Sequence, residues 1–243
     1  MGRILSSIGI GAATVDTVLP KTKLWPGETV RVDVELYGGD SAQTIEGIDF
    51  VLKTRFAAEE GEATVTIDEF EVERSISLAP EEERTIPVDV EIPLWTPITR
   101  SGVSVWLETR LDIDWARDPT DEDQIEVVPD EYVSALFDAF DGLGFALRGS
   151  SLIDVDHVDD RPLAQRFRFE PTGGPYASDV DAIEITVMPR TADLRVFVEY
   201  DLVDEIADDL DLDFDRQEIA MTLSHATVDA IKGRIEDGIR QHT

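Results

Sequence analysis

Residues 25–39 read WPGETVRVDVELYGG, and this stretch decides the fold class of the chain. Pro26-Gly27 predicts a turn, because proline presets φ and glycine accepts the positive φ that many turns require. From Thr29 onward every second residue is apolar, namely Val30, Val32, Val34 and Leu36. This period of two predicts a strand with one buried face, and Gly38-Gly39 predicts a turn at its end. The stretch is structural, and nothing in it indicates catalysis.

The rest of the first half carries further alternating runs. We predict strands over residues 12–19, 45–56, 64–72, 86–93 and 103–113, with a hairpin tip at residues 59–62. Pro87 and Pro93 make the fourth of these an edge strand, because proline cannot donate to a ladder. Short strands with turn signals about every ten residues predict a β-sandwich. We therefore expect a sandwich domain over residues 1–117, followed by a polar linker over residues 118–129.

The second half mixes helical and strand patterns. Asp130 is the expected N-cap of a helix over about residues 130–141, which Gly142 and Gly144 end. We predict strands over residues 147–155, 165–170, 180–188, 194–200 and 218–223, and a loop or short helix over residues 201–212. Apolar residues at helical spacing predict a C-terminal helix over about residues 227–240. Residues 130–243 are therefore expected to form a second β-sandwich with an inserted helix and a C-terminal helix.

The charge is the extreme feature of the composition. The 243 residues include 53 acidic and 21 basic ones, for a net charge of −32, yet 42% are hydrophobic. This balance favours a folded protein over acidic disorder. In molar salt the Debye length falls to roughly 3 Å and most self-repulsion disappears, so we predict a cytoplasm of very high salt. The same charge argues against nucleic-acid binding, which needs a basic footprint.

Other classes of protein are made improbable by what the sequence lacks. There is no cysteine, so disulfides, a thiol nucleophile and thiolate metal sites are excluded. No run of eighteen apolar residues exists, and the first residues are a poor match to a signal peptide. We therefore expect a soluble cytoplasmic protein without a membrane span.

Two acidic segments are candidate cation sites. Residues 208–215, DDLDLDFD, offer oxygen ligands but lack the glycine and the closing glutamate that the helix–loop–helix calcium motif requires, so a solvated loop is favoured. The second segment is a potential carboxylate–imidazole site formed by Asp154, Asp156, His157, Asp159 and Asp160. One histidine among loop carboxylates is a weak metal signal.

Reactive constellations are missing elsewhere. Asp112 and Asp114 share a strand face with Arg110, for which solvent exposure is the favoured interpretation over acid–base catalysis. No serine has the flanking glycines of a hydrolase elbow, and no glycine-rich stretch has phosphate-binding spacing. We assign no catalytic, cofactor-binding or metal-binding residue and expect no cofactor.

Several short segments, taken together, resemble the sporulation-control protein family named for the stage-zero M protein of spore-forming bacteria. They occur in the order and spacing of that family: residues 9–12 (GIGA), 15–17 (VDT), 26–29 (PGET), 38–39 (GG), 52–55 (LKTR), 106–113, 118–121 (DPTD) and 143–145 (LGF). The resemblance implies two arrestin-like β-sandwich domains joined by a short linker, and a regulatory role through protein contacts without catalysis. With the salt prediction, it implies a haloarchaeal member, in which spore formation is not expected.

Three hypotheses about function follow. The leading one is a cytoplasmic, non-enzymatic scaffold or adaptor whose sandwich edges recruit protein partners that the sequence does not identify. The alternatives are a metal-dependent enzyme using the acidic loop carboxylates and a purely structural oligomer; the sequence leaves the oligomeric state open. An outward cluster of Trp25, Trp95 and Trp115 would mark a binding surface, although we expect these side chains to be mostly in the core.

Overall fold

The computed structural model describes residues 12–58, 61–113, 118–155, 163–202, 216–224 and 227–242. They form two compact units. The first contains the described residues up to Thr99 together with Ser104–Val128, and the second contains Arg100–Val103 and the described residues from Pro129 onward. The structure is mostly β with two helices, which confirms the predicted fold class.

The first unit contains eight strands in two sheets. They are β1 Thr14–Val18, β2 Lys23–Leu24, β3 Thr29–Tyr37, β4 Gln43–Ala58, β5 Gly61–Leu78, β6 Glu83–Glu91, β7 Ser104–Ile113 and β8 Thr120–Val127. One sheet has the order β1-β3-β6 and the other the order β2-β8-β7-β4-β5. Apolar side chains of both sheets share one core, as expected for a sandwich.

Strand β3 confirms the prediction from the opening stretch. Val30, Val32, Val34 and Leu36 are buried, while Arg31 and Asp33 on the other face are exposed. Full burial of one such side chain contributes about 1.5–3 kcal/mol, so this face alone strongly favours the strand. The predicted edge strand is also confirmed, because β6 lies at the edge of its sheet with Pro87 opposite Asp33.

The linker predicted over residues 118–129 must be corrected. Strand β8, Thr120–Val127, occupies most of it and pairs antiparallel with β7 and parallel with β2. Ile125 and Val127 are buried and alternate with exposed Gln124 and Glu126. Because acidic residues fill most of the other positions, the alternation resembles a polar linker in the sequence. The first unit thus extends to Val128.

The described residues of the second unit form five strands and two helices. They are α1 Glu131–Gly142, β9 Phe145–Asp154, β10 Leu163–Pro171, β11 Val180–Pro189, β12 Leu194–Leu202, β13 Arg216–Leu223 and α2 Val228–His242. The strands form one antiparallel sheet of order β13-β12-β11-β10-β9. The residues of this unit that the structure describes therefore contain a single sheet, which differs from the two sheets of the predicted sandwich.

Helix α1 takes the place that a second sheet would have over one face of this sheet. The Asp130 side chain accepts a hydrogen bond from the Val133 N–H at 2.8 Å, which confirms the predicted N-cap. Phe137 meets Phe167 edge-on, with ring centroids 5.0 Å apart, and Phe140 stacks on Phe169 at 4.2 Å. These aromatic contacts fix the helix to β10.

Helix α2 packs over the same sheet. Ile231, Ile235 and Ile239 are buried, as their spacing predicts. Gly238 lies over Tyr200 of β12, and a Cβ at this position would be 2.0 Å from the Tyr200 hydroxyl. Only glycine permits this approach, so residue 238 sets the distance between helix and sheet. Neither helix in the described part of the chain is long and apolar enough to cross a membrane.

Candidate functional site

Of the two acidic segments predicted as candidate cation sites, only Asp154, at the end of β9, is among the described residues. Residues 208–215 and 156–160 lie outside the described residues, as do Asp114 and Trp115. Asp112 is exposed on β7. Within the described ranges, no group of three or more histidine, aspartate or glutamate side chains could hold a metal ion. The predicted absence of catalytic, metal and cofactor residues stays a prediction.

The two described tryptophans of the proposed patch have different environments. Trp25 is 46% exposed, and the Lys21 ammonium lies 5.0 Å from its ring centroid. Trp95 is partly buried and packs against the core of the first unit. Core packing is therefore the main role of Trp95, whereas Trp25 is a surface residue.

The longest strand at a sheet edge in the described residues is β5. This strand, Gly61–Leu78, spans 18 residues and pairs with β4 on one side, and no strand in the described residues pairs with its other side. It contains no proline and no lysine. Such a strand presents a row of unpaired backbone N–H and C=O groups, which can pair with another chain.

The two faces of β5 have different chemistry. Val65, Phe70 and Val72 lie on the core side and are only partly buried; Phe70 stacks on Phe50 of β4 at 5.1 Å. Glu69 and Glu71 lie on the outer side and are exposed, opposite Val51 and Asp49. Around residues 69–72 the edge is thus apolar on the core side and acidic on the outer side, while Asp68, opposite buried Leu52, adds a carboxyl to the core side.

A charge cluster lies on the outer face of the same sheet, one and two strands away from β5. In this outer cluster, Lys53 and Arg110 each donate a hydrogen bond to the Glu108 carboxylate. The Glu108 side chain is only 9% exposed. Burial by itself would raise the pKa of Glu108, but the hydrogen bonds from Lys53 and Arg110 outweigh it and lower the pKa below its ordinary value. Glu108 is therefore held ionised.

A second pair of carboxyl groups lies on the inner face of the sheet. In this inner carboxyl pair, Asp121 is buried and accepts a hydrogen bond from the Thr17 N–H at 2.7 Å, while Thr17 also hydrogen-bonds Thr109. Asp123 hydrogen-bonds Asp121, and its Oδ2 is buried without a partner in the part of the chain that the structure describes. The pKa of Asp123 is raised to about 7, and burial is the largest cause. The charge of Asp121 and its hydrogen bond contribute next, followed by the charge of Asp16.

The inner carboxyl pair was not predicted, although the sequence contains an alternating pattern that indicates it. Asp121 and Asp123 are in phase with Ile125 and Val127, so an alternating pattern continues through the acidic segment. A strand predicted over residues 120–127 would have placed both aspartates on the same inner face as Ile125 and Val127. Perturbed carboxyls are candidates for function. The described hydrogen bond of Asp121 to the Thr17 N–H holds β1 against β8, so the geometry favours a structural role.

Comparison with known proteins gives the family. The model of a family described as Spo0M, SpoOM protein, matches residues 1–203. The chain belongs to this family. The matched residues end in β12, so β13 and α2 lie beyond them.

A curated relative and a solved structure agree with this family. The sporulation-control protein spo0M of Bacillus subtilis (strain 168) is 36% identical over 204 residues, which are 82% of this chain and 79% of that protein. The crystal structure of Spo0M from Bacillus subtilis aligns with a TM-score of 0.83 at 29% identity, covering 96% of this chain and all of that chain. The Spo0M family is a sporulation-control family, so a regulatory role of this chain is supported.

Proposed function

We propose that the chain is a cytoplasmic, non-enzymatic regulatory protein that binds a protein partner by strand addition at β5. The observation that carries the proposal is an edge strand of 18 residues that contains neither proline nor lysine. Membership of the Spo0M family supports the regulatory part of the proposal. The described residues give no specific support to the metal-dependent enzyme.

The other strand edges of the first unit are protected or short. Strand β6 carries Pro87 in its middle, and its Asp89 is in an ion pair with Arg31 of β3 at 3.3 Å. Strand β1 has five residues and β2 has two. Strand addition gains affinity from a row of main-chain hydrogen bonds, so a long edge is favourable. Strand β5 offers two regular runs, residues 61–66 and 68–73, on either side of a register shift at Ile67. This contrast points to β5.

A pair of proline substitutions tests the proposal. Backbone N–H groups alternate in direction along a strand, so one of Thr64 and Val65 directs its N–H toward β4 and the other toward the free edge. We expect only one of the variants Thr64→Pro and Val65→Pro to keep the wild-type melting temperature. That variant has lost an outward donor and should lose the partner in pull-downs from cell extract at multimolar KCl.

A matched control lies on the protected edge. Pro87 has no N–H, and Thr85 two residues earlier faces the same way, so Thr85→Pro should be tolerated and should keep the partner. A partner that binds equally well to the stable β5 proline variant would contradict the proposal. Failure to recover any reproducible partner would count against it as well. Light scattering at high salt separates it from the third hypothesis, a structural oligomer.

A further inference from the structure

We propose that the partner segment that pairs with β5 is a strand in which apolar and basic side chains alternate. This inference rests on the proposed function and specifies the chemistry of the partner. The added strand would continue the sheet beyond β5, so its alternate side chains would lie beside the two faces of β5. Each face then sets the chemistry of one half of the partner residues.

The core side of β5 calls for apolar residues. Phe50 and Ile48 of β4 are fully buried, whereas their partners across the strand pair, Phe70 and Val72, remain partly exposed. The difference follows from position, because β4 has a neighbour on both sides and β5 has one. An apolar side chain placed beside Phe70 would remove the remaining apolar area from water.

The outer side of β5 calls for basic residues. Glu69 and Glu71 are exposed, and the structure shows no ion pair between either of them and a described Lys or Arg side chain. Asp49 of β4 lies beside them, and burial, followed by the charges of Glu69 and Asp112, raises the pKa of Asp49. The nearby cation, Arg110, is hydrogen-bonded to Glu108 and also interacts electrostatically with Glu69 and Asp49. Because these carboxylates share Arg110, an incoming Lys or Arg would meet an excess of negative charge.

The same charge argues against a second copy of this chain as the occupant. Two β5 strands that paired with each other would bring acidic outer faces together, and like charges opposite one another in a sheet are destabilising. Strand β5 has Glu62, Glu69 and Glu71 exposed. A basic partner strand gives the complementary arrangement.

Synthetic peptides of about ten residues, the length of an ordinary strand, test the inference. One peptide alternates valine with lysine, a second alternates valine with glutamate, and a third has the first composition in scrambled order. Each carries a fluorophore, and anisotropy is measured in KCl concentrations at which the protein is folded. We expect the lysine peptide to bind about threefold more tightly than the other two, because exposed charge pairs are weak at high salt, and we expect the ratio to grow as KCl is lowered.

Charge variants locate the preference on β5. In Glu69→Gln/Glu71→Gln the preference for lysine over glutamate should largely disappear, because the charge pairs are lost. The matched control Glu83→Gln/Glu91→Gln on the other edge strand, β6, should keep the full preference. Equal binding of the lysine and glutamate peptides, or a preference that survives the β5 charge variant, would overturn the inference.

The two proposals fail in different ways. One outcome is that the natural partner or the peptides lose binding in the stable β5 proline variant without preferring basic residues. In that case strand addition stands and the alternating basic strand is refuted. If the lysine peptide binds with its preference unchanged in the stable proline variant, both proposals are refuted. A wild-type dimer that the same proline variant abolishes would show that a second copy occupies the edge, and would also overturn the basic-partner inference.

Discussion

The outer cluster and the inner carboxyl pair place acidic groups on opposite faces of one sheet, with opposite effects on their pKa values. On the outer face, Lys53 and Arg110 hold Glu108 ionised. On the inner face, the neighbour of Asp123 is another carboxyl, Asp121, and Asp123 holds its proton up to a pKa of about 7. Burial opposes ionisation at both places.

The comparison shows that cationic partners can outweigh the effect of burial on a carboxyl in this sheet, whereas a carboxyl partner adds to it. A neighbouring cation favours the ionised form, and a neighbouring carboxylate disfavours it. In a chain with a net charge of −32, cations are scarce. Whether a buried carboxyl is ionised or protonated therefore depends on whether one of the few lysine or arginine side chains lies beside it. Three measurements test this difference.

The largest effect is expected from salt, which acts on all exposed charges at once. Between about 1 M and about 0.01 M KCl the Debye length grows from roughly 3 Å to roughly 30 Å. We expect the free energy of unfolding to fall by about 3 kcal/mol or more at low salt, and the melting temperature by about 10 °C. Thermal melts followed by circular dichroism measure this. Equal or greater stability at low salt would refute the high-salt prediction.

The next effect is expected from removing one cation of the outer cluster. Lys53→Met leaves Glu108 buried with Arg110 as its remaining cation, and should cost about 2 kcal/mol of unfolding free energy. The loss should persist in multimolar KCl, because a buried pair is poorly screened. Urea unfolding at both salt concentrations measures it.

The control for this variant is an exposed ion pair in the same sheet. Lys23 pairs with Glu126 at 3.0 Å, with the two side chains 66% and 50% exposed. Lys23→Met should therefore cost less than about 1 kcal/mol. Similar losses in the two lysine variants would show that burial of the carboxylate is unimportant.

The smallest effect is expected at the inner carboxyl pair. Between pH 4 and pH 7 native Asp123 keeps a proton that the unfolded chain has released, so its contribution to stability falls as the pH rises through this window. Asp123→Asn removes the ionisation and retains an N–H donor toward Asp121. The variant should exceed the wild type by about 1 kcal/mol at pH 8, a value reduced for partial exposure, and should lose this advantage near pH 4.

Urea unfolding of the wild type and the Asp123→Asn variant at pH 4 and pH 8 measures the sign of their difference in unfolding free energy. The same substitution at exposed Asp33 of β3 is the control and should change stability little at either pH. An Asp123→Asn variant that is equally destabilised at both values would mean that the aspartate is not protonated in the folded protein.

Much of the fold could be predicted because the deciding patterns are local. The alternation from Val30 to Leu36, the prolines of β6 and the Asp130 cap each act within a few residues of their own position. Strand β8 was missed because an inward aspartate at positions 121 and 123 replaces the apolar residue that marks a buried face. That the described residues of the second unit contain one sheet also could not be predicted, since strand lengths do not tell whether helices or strands cover a sheet.

The sequence by itself determined most of the strands, both described helices and the family, because these depend on spacing along the chain. Only the tertiary structure decided which carboxyl obtains a cation. Lys53 and Glu108 are 55 positions apart and meet because β4 pairs with β7, whereas β8 places Asp121 and Asp123 side by side on the inner face. It also decided that β5 ends a sheet, since an edge is defined by the strand that is absent beside it. Pairing partners arise from the folded register, which spacing along the chain does not contain.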